Sequence, residues 1–466
     1  MRALSSIWSV FLFLISLAGC GIRYPAQETL SPGPTAVSHF PTRTLEPSST
    51  SAPIPTNTVR PTTTSIPTLP PPTSTPQALP AQVVNIMNEL QTEVEELRGL
   101  STDVPIARHL MTRQELTAYL ERKFTEEYPP AEIEADVRTM AAFDFVPEDL
   151  DLRRVLLDLY SSQILGLYDE EENLFYIVSK GDFDLVDQIT FVHEYVHGLQ
   201  DIYYQLEIFV DDDRMNDDQV LARMAVAEGD ATLVMSKYLL AHLAEWTPQD
   251  LALLQSEDFE GDQEVLETAP PIIRETFQFP YIYGLQFVEY LQGKGWTTVE
   301  PAFTRPPQST EQILHPEKYL SGDEPQIIAL PPLTDTLGTG WRLVEIETLG
   351  EFQTRLYLAQ QVDPETADLA SQGWDGDQYA LYARDGEQVL VFVSAWDSQA
   401  DREEFVAAWT QYATGKYRRP PSDKSQSELW WKTPSQTALL TWSHVTAAII
   451  LAPDQDLIEK VLTAFP

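Results

Sequence analysis

Ile189-Thr190-Phe191-Val192-His193-Glu194-Tyr195-Val196-His197-Gly198-Leu199-Gln200-Asp201-Ile202 holds no proline and a single glycine, and it predicts a helix over roughly 186–204. Residues four apart on a helix share a face. The imidazoles of His193 and His197 can therefore converge on one ion, with each nitrogen about 2.0–2.1 Å from it. Glu194 lies one position further round, beside such an ion. There its carboxylate can take a proton from a water attacking a carbonyl. The plainer alternative is a pair of buried histidines satisfied by backbone carbonyls.

A catalytic zinc site needs a third protein ligand and an open fourth position. Ala227-Glu228-Gly229-Asp230-Ala231 supplies a candidate inside a run built of Val226, Leu233, Val234 and Met235. A carboxylate among apolar neighbours is costly unless it is paired or bound to a metal. Glu228 is thus the expected third ligand. Asp230 is a candidate acceptor for the second N–H of a ligand histidine, and Asp201, one turn past His197, competes for that role. The acidic stretch Asp211–Asp218 lacks the spacing of a calcium loop and reads as solvated.

Outward from this centre the pattern is mostly helical. Val83–Leu97 is amphipathic, and Thr112–Glu115 has capping-box spacing ahead of a helix to about 124. Helices are expected near 130–142, 152–163, 219–246 and 282–292, with strands at 164–168 and 174–178 around a polar turn. After Pro331 strand pairs followed by a helix occur twice, which suggests a smaller α+β domain with an internal duplication. Seven of the ten tryptophans fall there, from Trp341 onward. Packing is the plainer account of them, and ligand stacking the sharper one.

The chain has 466 residues, 71 acidic against 30 basic, and a formal charge of −41. That balance argues against a nucleic-acid partner, which needs a basic surface. The one cysteine, Cys20, excludes an intrachain disulfide and a Cys-rich zinc site. It ends Leu17-Ala18-Gly19-Cys20, directly after the apolar run Ile7–Ala18. The run is too short to span a bilayer, for which about 20 residues are needed, and has the length of a signal-peptide core. Residues 1–20 therefore read as an export signal. The Pro/Ser/Thr-rich segment 21–82 reads as an extended tether that cannot bury a core.

Several stretches resemble known families. Leu17–Cys20 resembles the lipobox of bacterial lipoproteins, which implies a lipid on Cys20 and an extracytoplasmic, membrane-anchored protein. H-E-Y-V-H followed by A-E-G-D-A resembles the gluzincins, HExxH zinc peptidases with a glutamate ligand on a later helix. That resemblance implies a zincin-like, mostly helical α+β domain with a small edge-strand sheet, taken as 83–330, with the C-terminal α+β domain at 331–466. It also implies Zn2+ on His193, His197 and Glu228, with Glu194 as general base. Pro280-Tyr281-Ile282-Tyr283-Gly284 is similar to the P-Y-x-x-G pattern of the clan's aminopeptidases and opens the helix expected there. It implies Tyr281, or else Tyr283, as the group that steadies the oxyanion; an aromatic pair in the core is the alternative. The G-A-M-E-N element is absent, which favours an endopeptidase. The 164–178 hairpin would bind peptide by strand addition. Residues 104–319 are further similar to uncharacterised bacterial HExxH lipoproteins through Gly166–Asp169, His197–Asp201 and Pro307–Pro316. His315 reads as a structural turn histidine. The expectation is a zinc peptidase acting on protein or peptide. The alternatives are a non-catalytic surface lipoprotein that binds a partner through its C-terminal domain, or a hydrolase of another carbonyl substrate.

Overall fold

The computed structural model describes residues 79–169, 173–181, 183–206, 209, 215–256 and 261–465. The expected export signal, Cys20, the tether to residue 78 and Asp211–Asp213 lie outside the described residues. No helix among the described residues is long and apolar enough to cross a membrane.

The chain is a mixed α+β protein whose first part is mostly helical. Helix α1 (Ala81–Arg98) leads to strand β1 (Ala107–Met111), then α2 (Arg113–Glu127), α3 (Pro130–Ala142) and α4 (Leu152–Gln163). The capping box expected at α2 is formed: Thr112 accepts from the Glu115 amide and Glu115 reaches back. Strands β2 (Gly166–Asp169) and β3 (Leu174–Val178) form a hairpin, and β1 adds parallel to β3, giving the order β1-β3-β2. The pattern of Ala107–Met111 did not announce β1; the pairing to β3, far along the chain, makes it a strand.

Two long helices follow, α5 (Leu185–Tyr204) and α6 (Asp217–His242). Asp184 and Asn216 cap them with reciprocal side-chain bonds. Both are buried over most of their length, so packing rather than a solvent-facing stripe defines them. Asp217 and Asp218, expected in a solvated loop, are instead buried in the first turn of α6. A helix N-terminus favours anionic side chains there.

Helix α7 spans Pro271–Gln292 and carries Pro280 within it, so Pro280-Tyr281 does not open the helix as expected. A proline costs one helical hydrogen bond. Here the apolar face of Ile273, Phe277, Phe279 and Leu285, all buried, holds the helix through that gap. Helices α6 and α7 cross with backbones in contact. A Cβ on Gly229 would meet the Gly284 carbonyl oxygen at 2.1 Å, and one on Gly284 would meet the Ala225 oxygen at 2.1 Å.

The C-terminal part is one seven-stranded antiparallel sheet. Its strands are β4 (Arg342–Glu347), β5 (Trp374–Arg384), β6 (Glu387–Trp396), β7 (Asp423–Lys424), β8 (Glu428–Lys432), β9 (Thr437–Ser443) and β10 (Thr446–Ala452), in the order β4-β5-β6-β10-β9-β8-β7. Helix α8 (Gly350–Ala359) follows β4, α9 (Gln399–Tyr417) follows the β5–β6 hairpin, and α10 (Gln455–Thr463) follows β9–β10. The two hairpin-plus-helix units meet at β6 and β10. Alternate residues serve two cores: Leu381 and Phe392 pack with Phe405 and Trp409 of α9, whereas Tyr382 and Val391 pack with Leu457 and Ile458 of α10. Trp341, Trp374, Trp396, Trp409 and Trp431 are buried in these cores. Packing accounts for them.

The helical part and the sheet share side chains. Phe143, just past α3, sits in the sheet's core against Tyr357 and Tyr379. Two buried carboxylates lie at the junction, each bonded within its own part. Asp218 accepts from the Thr310 amide at 3.1 Å and from its hydroxyl. Asp377 accepts from the amides of Leu349 and Gly350, each at 2.9 Å, and from the Trp374 indole at 2.8 Å.

Candidate metal centre

The i, i+4 spacing on α5 turns the rings of His193 and His197 to one point, with their Nε2 atoms 3.1 Å apart. Helix α6 passes beside them and brings Glu228 into the same place. Its Oε2 lies 3.2 Å from His193 Nε2 and its Oε1 lies 3.3 Å from His197 Nε2. An ion with four arms of about 2.0–2.1 Å needs ligand atoms roughly 3.3–3.4 Å apart. The nitrogen–nitrogen separation, and the distance from each nitrogen to the Glu228 oxygen facing it, lie within a few tenths of an ångström of that, and one ligand atom per residue falls within 4.8 Å of the others. Among the described residues this is the one His/Cys/Asp/Glu group so arranged.

Hydrogen bonding fixes which nitrogen faces the point. His197 Nδ1 is 2.9 Å from Gln200 Oε1, which can only accept, so Nδ1 carries the proton and Nε2 offers its lone pair. Gln200 in turn donates to the Ala227 carbonyl at 2.9 Å and to Asp230 at 3.0 Å. Asp230 is paired with Arg98 at the end of α1, both side chains fully buried, at 2.8 Å. The Arg98 guanidinium stacks over Trp296 at 4.4 Å. A relay thus runs from His197 through Gln200 and Asp230 to Arg98.

Electrostatics keeps Glu228 an anion. Burial pushes its carboxyl up, but the two imidazoles pull it down to about 2. Glu194 differs. It is fully buried, and neither of its oxygens has a hydrogen-bond partner. Burial drives its carboxyl well above the usual range; the Glu228 charge adds to this and His197 opposes it. Strand β2 backs directly onto it, since a Cβ on Gly166 would lie 3.2 Å from Glu194 Cγ.

Tyr281 comes next to this group because α7 crosses α6 at Gly229 and Gly284, the neighbours of Glu228 and Tyr281 in sequence and helix turn. Its ring is 6.4 Å from that of His193. Its phenol is pushed up by burial, by the Glu228 and Glu194 charges, and by a hydrogen bond to Glu228. Tyr283, the alternative, points elsewhere: its hydroxyl accepts from Arg355 at 3.0 Å and its ring packs on Phe279.

The other expected residues divide. Asp230 reaches His197 only through Gln200. Asp201 does not reach a ligand histidine; it accepts from the Tyr168 hydroxyl at 2.9 Å and the Leu206 amide at 3.1 Å, closing the end of α5. The chain turns after Tyr204, so the Asp201 carboxylate meets nearer donors first. His315 pairs with Glu351 at 2.9 Å, on the side of the sheet. The sequence reading did not single out Gln200 for this role, although it lies three residues past His197 on the same helical face.

Comparison with known proteins bears on the other end of the molecule. Residues 341–462, which cover the seven-stranded sheet, match the family described as domain of unknown function DUF8575. No curated protein and no solved structure matches the chain.

Proposed function

We propose that this chain is a zinc-dependent peptidase of the gluzincin type, acting as an endopeptidase, with His193, His197 and Glu228 as ligands of Zn2+. One observation carries the reading. The Nε2 atoms of His193 and His197 stand 3.1 Å apart, each 3.2–3.3 Å from an oxygen of the Glu228 carboxylate, and beside them lies a buried carboxylate with no protein partner. A binding site alone does not need that carboxylate.

Zinc, when bound, supplies a Lewis acid for the substrate carbonyl and lowers the pKa of the attacking water to near 7. Glu194 accepts the proton of that water and returns it to the leaving amine. Tyr281 donates a hydrogen bond to the oxygen that gains negative charge. Gln200, Asp230 and Arg98 hold His197 in the tautomer that faces the metal. Strand β2, an edge of its sheet with Gly166 against Glu194, is the place for a substrate strand. Because the central side chains are buried, an extended peptide reaches them only when the covering segments part.

The zincin-like identity of the helical part, the lipid on Cys20 and the extracytoplasmic, membrane-anchored location belong to the same proposal, and they rest on the sequence motifs. The test of the chemistry is Glu194→Gln in the purified protein. Metal content should stay at one per chain while cleavage of an unstructured protein falls by about 10²–10⁴. Undiminished cleavage removes Glu194 as the base. A protein that takes up no zinc removes the reading as a whole.

A further inference from the structure

Helix α1 meets the rest of the protein along two stripes. Val83, Met87, Leu90 and Val94 are buried in one core with Val192 and Val196 of α5 and Val234 of α6. Beside them runs a polar stripe, Asn88, Gln91, Glu95 and Arg98, spaced three and four apart and so on one face. Each of its members bonds to another element. Arg108 of β1 donates to Asn88 Oδ1 at 2.7 Å and to Gln91 Oε1 at 2.6 Å, and its guanidinium lies 5.3 Å from the Phe191 ring of α5. The Tyr195 hydroxyl of α5 donates to Glu95 Oε1 at 2.7 Å. Arg98 pairs with Asp230 of α6 at 2.8 Å.

The last two contacts bear on the metal centre. An α-helix turns about 100° per residue, so a side chain two positions on points about 200° away. Tyr195 stands midway between His193 and His197, and Asp230 stands two past Glu228. Both therefore lie on the side of their helix turned from the metal point. Helix α1 grips α5 and α6 from behind, through Glu95 and Arg98, which are one turn apart. Tyr195, Arg98 and Asp230 are all buried, where water does not compete for these bonds. The 3.2 and 3.3 Å separations between the imidazoles and Glu228 depend on how α5 lies against α6. A helix fixed to the backs of both fixes that distance.

We infer that α1 is a clamp of the metal centre, with Glu95 and Arg98 as positioning residues that hold α5 against α6 at the spacing the ion requires; this rests on the zinc reading. The two residues act by different routes. Arg98 also reaches His197 through Asp230 and Gln200. Glu95 holds the back of α5, so its effect on the ligands comes through helix placement.

The test measures zinc affinity of the full chain by chelator competition, well below the melting temperature. Glu95→Leu should weaken binding by about 10-fold, and Glu95→Gln, which still accepts from Tyr195, should restore it. Tyr195→Phe removes the same bond while keeping the ring, and should match Glu95→Leu. Arg98→Met combined with Asp230→Asn removes the ion pair without stranding either charge, and should weaken binding by about 10–100-fold. Ile458→Val, in the core under α10, lowers the melting temperature without touching either helix and should leave zinc affinity as it was. Zinc affinity unchanged in Glu95→Leu and Tyr195→Phe overturns the clamp, even where their melting temperatures fall, and an equal loss in Ile458→Val overturns it too. If the wild-type chain takes up no zinc, the peptidase reading fails, and hydrogen exchange of the α5 amides in the metal-free chain decides the clamp separately. Exchange that quickens in Glu95→Leu and slows again in Glu95→Gln supports it, and exchange equal in all three chains overturns it.

Discussion

Buried carboxylates without an arginine or lysine partner occur at several places among the described residues, and two of those places solve the problem differently. At the junction with the sheet, Asp218 and Asp377 spend their lone pairs on donors: the Thr310 amide and hydroxyl, the Leu349 and Gly350 amides, and the Trp374 indole. At the crossing of α5 and α6, Glu228 faces the Nε2 atoms of two imidazoles, and the Gln200 acceptor at His197 Nδ1 leaves that ring's Nε2 its lone pair. Donors around a carboxylate make a joint. Acceptors around a common point make a site for a cation. The contrast separates structure from function more sharply than burial does, since both regions are equally dry.

The largest break of this contrast is expected from Glu228→Ala. The purified variant should hold no zinc after dialysis, by elemental analysis, yet fold. Retention of one zinc per chain would mean that the ligand set is wrong. Next comes Asp377→Ala, which strands three donors and should lower stability by about 3 kcal/mol in a denaturant titration, with zinc affinity untouched. A loss of zinc affinity there would merge the two regions into one.

Gln200→Leu removes the acceptor of His197 Nδ1–H. It should weaken zinc binding by about 10–100-fold in a chelator competition, and Gln200→Glu should restore most of it. Arg98→Met should act in the same direction through Asp230. Affinity unchanged in both would mean that the relay only packs.

The smallest effect is that of pH on the joint. Burial raises the Asp218 carboxyl to about 8 and the Asp377 carboxyl to about 7, against the smaller pull of their hydrogen bonds. A carboxyl raised by folding binds its proton more tightly in the native state. Its contribution is whole below the ordinary carboxylate range and is lost as pH rises through about 7 to 8. The melting temperature should therefore decline from pH 6 to pH 9, and Asp377→Asn should flatten part of that decline. A melting temperature that stays flat over the same interval would show that these groups are ionised throughout.

What could be read in the sequence was local. The turn of α5 that pairs His193 with His197, the capping box at Thr112, α3, α4 and the alternation of the C-terminal strands follow from spacing and backbone preference within a dozen residues. Glu228 was legible as well, because an acid in an apolar helix asks for a partner. Other features belonged to the tertiary structure alone. β1 exists through β3, α7 survives Pro280 because its apolar face is buried, and the Gly229–Gly284 crossing selects Tyr281 over Tyr283. Gln200, not Asp201, holds His197, and Arg98 holds Asp230 from the far end of the chain. Periodicity along a chain says which side chains share a face; which faces meet, and at what distance, depends on contacts between segments far apart in sequence.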